Sequence, residues 1–308
     1  MRIAFLGTPE FALPSLRMLI ESGHELAVFT QPDRPVGRHK TPEAPPVKLL
    51  AQEYGIPVFQ FEKIRRPEGV EALRGFAPDL MVTAAFGQIL SAENLSVPKY
   101  GCINVHGSLL PRYRGAAPIQ WSVIDGETVT GITTMLTDVG MDTGDILLQE
   151  KTAIGPDETA GELYDRLSLI GADLLKKTLS ALSDGTLQRT PQDESLATKC
   201  PMLKKEHGKI VFSKTASGVH NLVRGVNPWP GAYAMLGGEP LKIWKTALTN
   251  KESAGSVPGT LFGSGKEGLF VQCADRPVEI LELQAPGGKR LDAAAFLRGR
   301  NISGSVLS

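Results

Sequence analysis

The run Asp79–Ala85, DLMVTAA, constrains the fold more than any other stretch of the chain. It is apolar on consecutive positions instead of alternating, as a strand must be when both faces of its sheet are covered. Arg2–Gly7, Glu25–Thr30 and Gly101–His106 are of the same kind. Between them lie stretches with helical spacing: residues 10–22, with Phe11, Leu13, Leu16, Leu19 and Ile20, and Pro45–Tyr54. Such alternation predicts an α/β fold, a Rossmann-like and mostly parallel sheet wrapped by right-handed crossovers. In sheets of this class the ligand sits beyond the carboxyl ends of the strands.

After the strand Gly131–Thr137 the pattern predicts an antiparallel pair with Ile146–Ile154. A long helix over 159–183 follows, with Leu163, Leu167, Ile170, Leu174 and Leu175 on one face. Residues 184–203 lose periodicity and contain Pro191 and Pro201, which reads as a linker. From Lys204 onward, short apolar runs separated by glycine and proline (232–235, 241–244, 260–262, 269–272 and 278–283) predict a small OB-like β-barrel. Three parts are thus expected: a catalytic domain 1–183, a linker 184–203 and a barrel 204–308.

Zero net charge conceals an asymmetry. Residues 1–203 hold 19 basic against 25 acidic side chains, and residues 204–308 hold 14 against 8. A basic C-terminal third suits a polyanionic partner, although an uneven surface alone would also produce it. No run approaches the ~20 apolar residues of a membrane-crossing helix, and Met1–Gly7 breaks too early at Thr8-Pro9 for a signal peptide. Cys102, Cys200 and Cys273 are odd in number and far apart, which fits neither a disulfide framework nor a metal site. A cytoplasmic location follows as the expectation.

The first strand ends in Gly7-Thr8-Pro9-Glu10-Phe11 rather than G-x-G-x-x-G, so the fold class does not bring a nicotinamide cofactor with it. The richest segment is Gly101–Pro118, GCINVHGSLLPRYRGAAP. Asn104 and His106 stand two apart on a strand and share a face at its carboxyl end. Burying two polar side chains there is costly unless they are satisfied. They either act in a site or bond the following loop. A second cluster, Asp138–Asp145 (DVGMDTGD), places carboxylates on a loop that could reach His106, or forms a solvated turn. Three aspartates in eight residues also suggest a metal, but no Cys or His cluster accompanies them. Neither Ser108 nor Thr143 has a paired base, which disfavours a hydrolase triad.

Four stretches, residues 29–38, 102–120, 138–147 and 227–231, together resemble the methionyl-tRNA formyltransferase family of folate-dependent formyltransferases over essentially the whole chain. The second is specific for folate-dependent formyl transfer, and the first and last narrow it to the tRNA enzymes. The resemblance implies that Asn104, His106 and Asp142 form the catalytic group and that 10-formyltetrahydrofolate is the donor, with no metal. It implies that the donor is bound by Phe86, Gly87, Gln88, Ile89 and Leu90 together with Ser108, Leu109, Leu110 and Pro111, with Asp138 alongside. The implied acceptor is initiator Met-tRNA, gripped by Arg34, Arg38 and Lys40 of the loop 31–46. Lys204, Lys205, Lys209 and Arg224 supply positive charge for the tRNA body. No membrane partner is implied, and the chain is expected to act as a monomer. Trp229 and Trp244 are expected in the core. A small-amine formyltransferase would keep the same trio but needs neither the basic loop nor the basic barrel. A nucleic-acid module with a vestigial α/β domain would not need the trio.

Overall fold

A computed structural model describes residues 1–36, 41–253, 255–264, 266–298, 300 and 302–308. It divides into two compact units. The first comprises Met1–Gly115, Gly131–Thr152 and Tyr164–Lys199; the second comprises Ala116–Thr130, Ala153–Leu163 and Cys200–Ser308.

The first unit is built on a seven-stranded sheet. Its elements in chain order are β1 (Arg2–Gly7), α1 (Leu13–Glu21), β2 (Glu25–Thr30), α2 (Pro46–Glu53), β3 (Val58–Gln60), α3 (Pro67–Phe76), β4 (Leu80–Ala84), β5 (Cys102–His106), β6 (Val129–Leu136), β7 (Ile146–Ala153) and α4 (Ala160–Ser183). Prolines stand in the first turns of α1, α2 and α3, where a missing backbone N–H costs nothing. The strand order is β7-β6-β5-β4-β1-β2-β3. β1 pairs in parallel with both β2 and β4, β4 with β5, and β5 runs antiparallel to β6. Every residue of β4 is buried, as its unbroken apolar run requires.

The chain leaves β1 in one direction toward β2 and β3, then returns to the other side for β4 and β5. This reversal, between β1 and β4, opens the crevice in which α/β sheets hold their ligands. Helix α4 buries Leu167, Leu174 and Leu175 in this unit, each contributing about 1.5–3 kcal/mol relative to exposure. It lies close against β5: a Cβ on Gly171 would come 2.9 Å from Val105 Cγ1. The helix therefore needs glycine where it crosses the strand carrying the polar pair.

Residues 184–199 lack periodicity yet are anchored to the first unit. Ile146 and Thr190 exchange backbone hydrogen bonds, and Arg114 N–H donates to the Thr198 carbonyl. Backbone bonds of this kind, with polar contacts from Gln192, Glu194 and Thr198, leave no hydrophobic repeat to announce them.

In the second unit the five expected strands are present as β8 (Ala232–Leu236), β9 (Glu239–Leu248), β10 (Leu261–Ser264), β11 (Gly268–Gln272) and β12 (Pro277–Gln284). They form an antiparallel sheet in the order β8-β9-β12-β11-β10. The last residues complete it: Ser308 exchanges two hydrogen bonds with Met235 of β8, while Leu261 of β10 donates to Ser305 and accepts from Gly304. One short terminal segment thus satisfies both edges of the sheet. A helix at Ala216–Gly225, not anticipated from the sequence, buries Val219 and Val223 in the core of this unit. Its helical spacing is interrupted by Gly218 and by the polar residues His220 and Arg224, which are themselves buried.

The two tryptophans are not core residues. Trp229 is 54% exposed. Trp244 is half-buried on β9, flanked by Lys242 Nζ and the Arg290 guanidinium, each 5.1 Å from its ring centre. Trp244 stands between the buried Ile243 and the exposed Lys245, where register shifts in the pairing of β9 with β12 interrupt the alternation of faces.

Candidate active site

Three segments of the first unit assemble at the carboxyl ends of β1, β4 and β5. Beyond β4, residues 85–90 form a turn with Ala85 and Gly87 in left-handed conformations (φ 46° and 77°). The Thr8 hydroxyl donates to the Phe86 carbonyl (3.0 Å), and Gln31 Nε2 donates to the carbonyls of Phe86 (3.3 Å) and Gly87 (3.0 Å). Gln88 turns inward, accepting from Ile64 N–H at 2.7 Å and donating to the Phe61 carbonyl at 2.6 Å. Phe86 is buried, Leu90 is half-buried, and Ile89 is 68% exposed. The turn is thus a fixed run of backbone presenting one large apolar side chain, Ile89, outward.

At the end of β5, Asn104 is half-buried, and its Oδ1 accepts from the Thr83 hydroxyl at 2.9 Å. Among the described residues its Nδ2 has no partner. His106 is buried. Its Nε2 lies 2.9 Å from the Tyr113 carbonyl, and since a carbonyl only accepts, Nε2 carries the hydrogen. The neutral ring then has its lone pair on Nδ1, which faces Asp142 Oδ2 at 3.7 Å. The Tyr113 carbonyl thus fixes the tautomer, and Asp142 stands at the other ring nitrogen. Cys102, at the start of the same strand, is no nucleophile, because burial pushes its thiol up to about 11.

Of the remaining residues on the β5 loop, Ser108 is fully buried, and its hydroxyl donates to the Arg112 carbonyl at 2.6 Å. Its side chain is therefore committed to the loop. Leu110 is buried, while Leu109 and Pro111 are half-buried. Thr133 ties this loop to the sheet, donating to the Ser108 carbonyl (2.7 Å) and accepting from Leu110 N–H (3.1 Å).

The aspartate loop beyond β6 is shaped from within. Asp138 accepts from Gly140 N–H and from the Thr143 hydroxyl, so its carboxylate staples the turn. Val139 and Met141 are largely exposed. Asp142 itself has φ 54°, a left-handed conformation costing a non-glycine residue roughly 1–2 kcal/mol. Its Oδ2 accepts from Gly115 N–H at 2.8 Å. Gln192 Nε2 donates to the carbonyls of both Asp142 (2.8 Å) and Gly144 (2.7 Å), and Gln192 Oε1 accepts from Arg114 Nε at 3.0 Å. Arg114, also buried, forms a two-pronged pair with Glu194 at 2.9 and 2.7 Å. This bonding holds the guanidinium pKa above its ordinary value and the Glu194 carboxyl below its own. Gln192, Glu194 and Thr83 carry no motif in the sequence; only the fold brings them to the trio.

Among the described residues no group of three His, Cys, Asp or Glu side chains is placed to hold a metal, and no helix is long and apolar enough to cross a membrane. Of the residues expected to contact tRNA, Arg38 and Lys40 lie outside the described residues. Arg34 is exposed and paired with Glu62 at 2.7 Å. Lys204, Lys205 and Lys209 are exposed on the second unit. Arg224 is not available to a polyanion: it is buried, and its guanidinium donates to the Gly155 and Glu158 carbonyls and to Asn221 Oδ1. Burial lowers its pKa from the ordinary value.

Comparison with known proteins places this geometry in a family. The formyl transferase family matches residues 1–179, and the formyl transferase C-terminal domain matches residues 202–301. A methionyl-tRNA formyltransferase of Ruminiclostridium cellulolyticum is 52% identical over 98% of this chain and 97% of its own length. One from Geotalea uraniireducens is 53% identical over 100% and 98%. Among solved structures, a sugar 3N-formyl transferase crystallised with dTDP and 5-N-formyl-THF superposes with a TM-score of 0.68 at 20% identity, covering 91% of this chain and 97% of that one. An N-formyltransferase from Helicobacter canadensis gives the same TM-score at 21% identity, covering 90% and 98%. With both segments matched and such identity over nearly its whole length, the chain belongs to the methionyl-tRNA formyltransferase family of formyl transferases.

Proposed function

We propose that this chain transfers the formyl group of 10-formyltetrahydrofolate to the amino group of methionyl-initiator-tRNA in the cytoplasm, giving N-formylmethionyl-tRNA for translation initiation. The observation that carries the reading is the trio at the end of β5 and the facing aspartate loop: an amide Nδ2 on Asn104 with no partner among the described residues, beside a histidine whose Nδ1 faces a carboxylate. The names of the relatives support the acceptor.

The carboxyl edge suits a folate donor: residues 85–90 offer fixed backbone and the exposed side chain of Ile89. Phe86–Leu90, Leu109 and the loop stapled by Asp138 form its binding surface in this reading. When bound, the donor supplies a one-carbon unit at the formyl oxidation level. Asn104 Nδ2 donates to the formyl oxygen as it gains negative charge, a contribution of roughly 3–4 kcal/mol for one preorganised donor. His106 Nδ1 accepts the proton lost by the attacking methionyl amine and returns it to N10 as the N10–formyl bond breaks. Asp142 stabilises the ring while both nitrogens carry hydrogen. No covalent bond to the protein forms.

The first unit thus carries the chemistry. The second, with the exposed Lys204, Lys205 and Lys209, holds the body of the tRNA through phosphate contacts. Arg34 and the loop containing Arg38 and Lys40 act near its acceptor end. The decisive assay follows labelled formyl from 10-formyltetrahydrofolate into initiator Met-tRNA, elongator Met-tRNA or free methionine. Label on initiator Met-tRNA alone is the expected result. Label on none of them, with folate still bound, would overturn the acceptor and point to a small amine.

A further inference from the structure

We infer that Gln192 is a positioning residue for the reaction, holding Asp142 at the histidine through a closed chain of hydrogen bonds. The inference rests on the proposed role of Asp142. Four links make the chain. Gln192 Nε2 uses both of its hydrogens on the aspartate loop, bonding the carbonyls of Asp142 and Gly144. Gln192 Oε1 is held by Arg114 Nε. Arg114 is fixed in turn by Glu194. The next residue, Gly115, donates its N–H to the Asp142 carboxylate. Backbone and side chain of Asp142 are therefore held from two segments, one carrying Gln192 and one carrying Gly115, which the bond from Arg114 to Gln192 joins.

The clamp is needed because the left-handed backbone of Asp142 is not self-supporting. Its flanking residues, Met141 and Thr143, bring no bond to the sheet: Met141 is exposed, and the Thr143 hydroxyl closes on Asp138. An amide suits this place as no other side chain of its size does. It must donate twice to carbonyls and accept once from a cation. Residues 184–199 are thus part of the catalytic apparatus, although no motif marks them.

The test is a double-mutant cycle in the full chain, using Gln192→Met, which keeps volume and removes every hydrogen bond, and Asp142→Ala. Q192M should lower kcat about 100-fold, the effect of a displacement near 1 Å in a reacting group. KM for Met-tRNA and for 10-formyltetrahydrofolate should hardly change, and thermal unfolding should stay cooperative. In the D142A background Q192M should add nothing, because its effect runs through Asp142. A merely structural role would instead add its loss in both backgrounds, and that result overturns the inference. So does Q192M within about threefold of the parent. If D142A itself retains full activity, it is the catalytic reading of Asp142 that fails. Should Q192M not fold, Gln192→Glu takes its place in the cycle: it keeps the acceptor for Arg114 while setting a carboxylate against the two carbonyls.

Discussion

Replacing Asn104 with alanine separates transition-state stabilisation from folding. In the structure the side chain has two ends with different duties. Oδ1 takes the Thr83 hydroxyl at 2.9 Å, while Nδ2 has no partner among the described residues. The alanine variant loses one ordinary hydrogen bond from the folded state, worth about 1 kcal/mol. For a unit of this size that lowers Tm by roughly 2–4 °C. In the transition state it loses a preorganised donor, and kcat should fall about 100- to 1,000-fold. Thr83→Val removes the same folding contact but leaves Nδ2 in place, so its rate should fall no more than about fivefold. Single-turnover transfer from 10-formyltetrahydrofolate to initiator Met-tRNA, run beside thermal unfolding of both variants, reads the two quantities independently. Equal losses of rate in N104A and T83V would refute the reasoning, because the donor end would then contribute nothing beyond packing.

Further outcomes are expected elsewhere in the chain. Gly144→Ala puts a Cβ 1.7 Å from the Leu136 carbonyl oxygen, so the aspartate loop must shift; kcat should drop about 100-fold in a protein that still unfolds cooperatively. The Glu194 carboxyl has its pKa lowered from 4.5, chiefly by the hydrogen bond from Arg114. A carboxyl with a depressed folded pKa adds stability above its unfolded value, and that stability is lost as pH falls through the folded one. Glu194→Gln should therefore melt below the parent at pH 7, with the gap closing once the pH drops below about 4.5. Arg224→Ala removes the donor to two half-buried carbonyls and leaves a void at a buried side chain, and should destabilise by about 1–3 kcal/mol in thermal unfolding, leaving KM for tRNA unchanged in the folded fraction. A large KM increase there would return Arg224 to the tRNA surface.

What could be read without coordinates was whatever rests on local pattern. Arg2–Gly7 and Glu25–Thr30 fold as strands over the ranges their apolar runs predict, and the five C-terminal strands fall where short runs break at glycine and proline. Asn104 and His106 were legible because a polar pair on an apolar strand needs a reason. The long-range contacts were not legible. Gln192 reaches Asp142 across fifty residues of chain, and no periodicity records a side-chain amide that bonds carbonyls. Likewise Arg224 reads as one more surface cation until the carbonyls of Gly155 and Glu158 are seen to enclose it. Trp229 and Trp244 misled for the opposite reason: their size suggests burial, yet one stands exposed and the other lies between two cations at the surface.

The return of residues 190–198 to the sheet also orders events during synthesis. All seven strands of the sheet have been made once Ala153 is in place, yet the aspartate loop still lacks Gln192, and Arg114 still lacks Glu194. A nascent chain halted in that interval holds Asn104, His106 and Asp142 but not the amide that bonds the Asp142 and Gly144 carbonyls. Because a folding domain emerges from its amino end, the aspartate loop gains its last hydrogen bonds after the sheet that carries it. Any fragment cut at residue 183 would stop at that same unfinished stage.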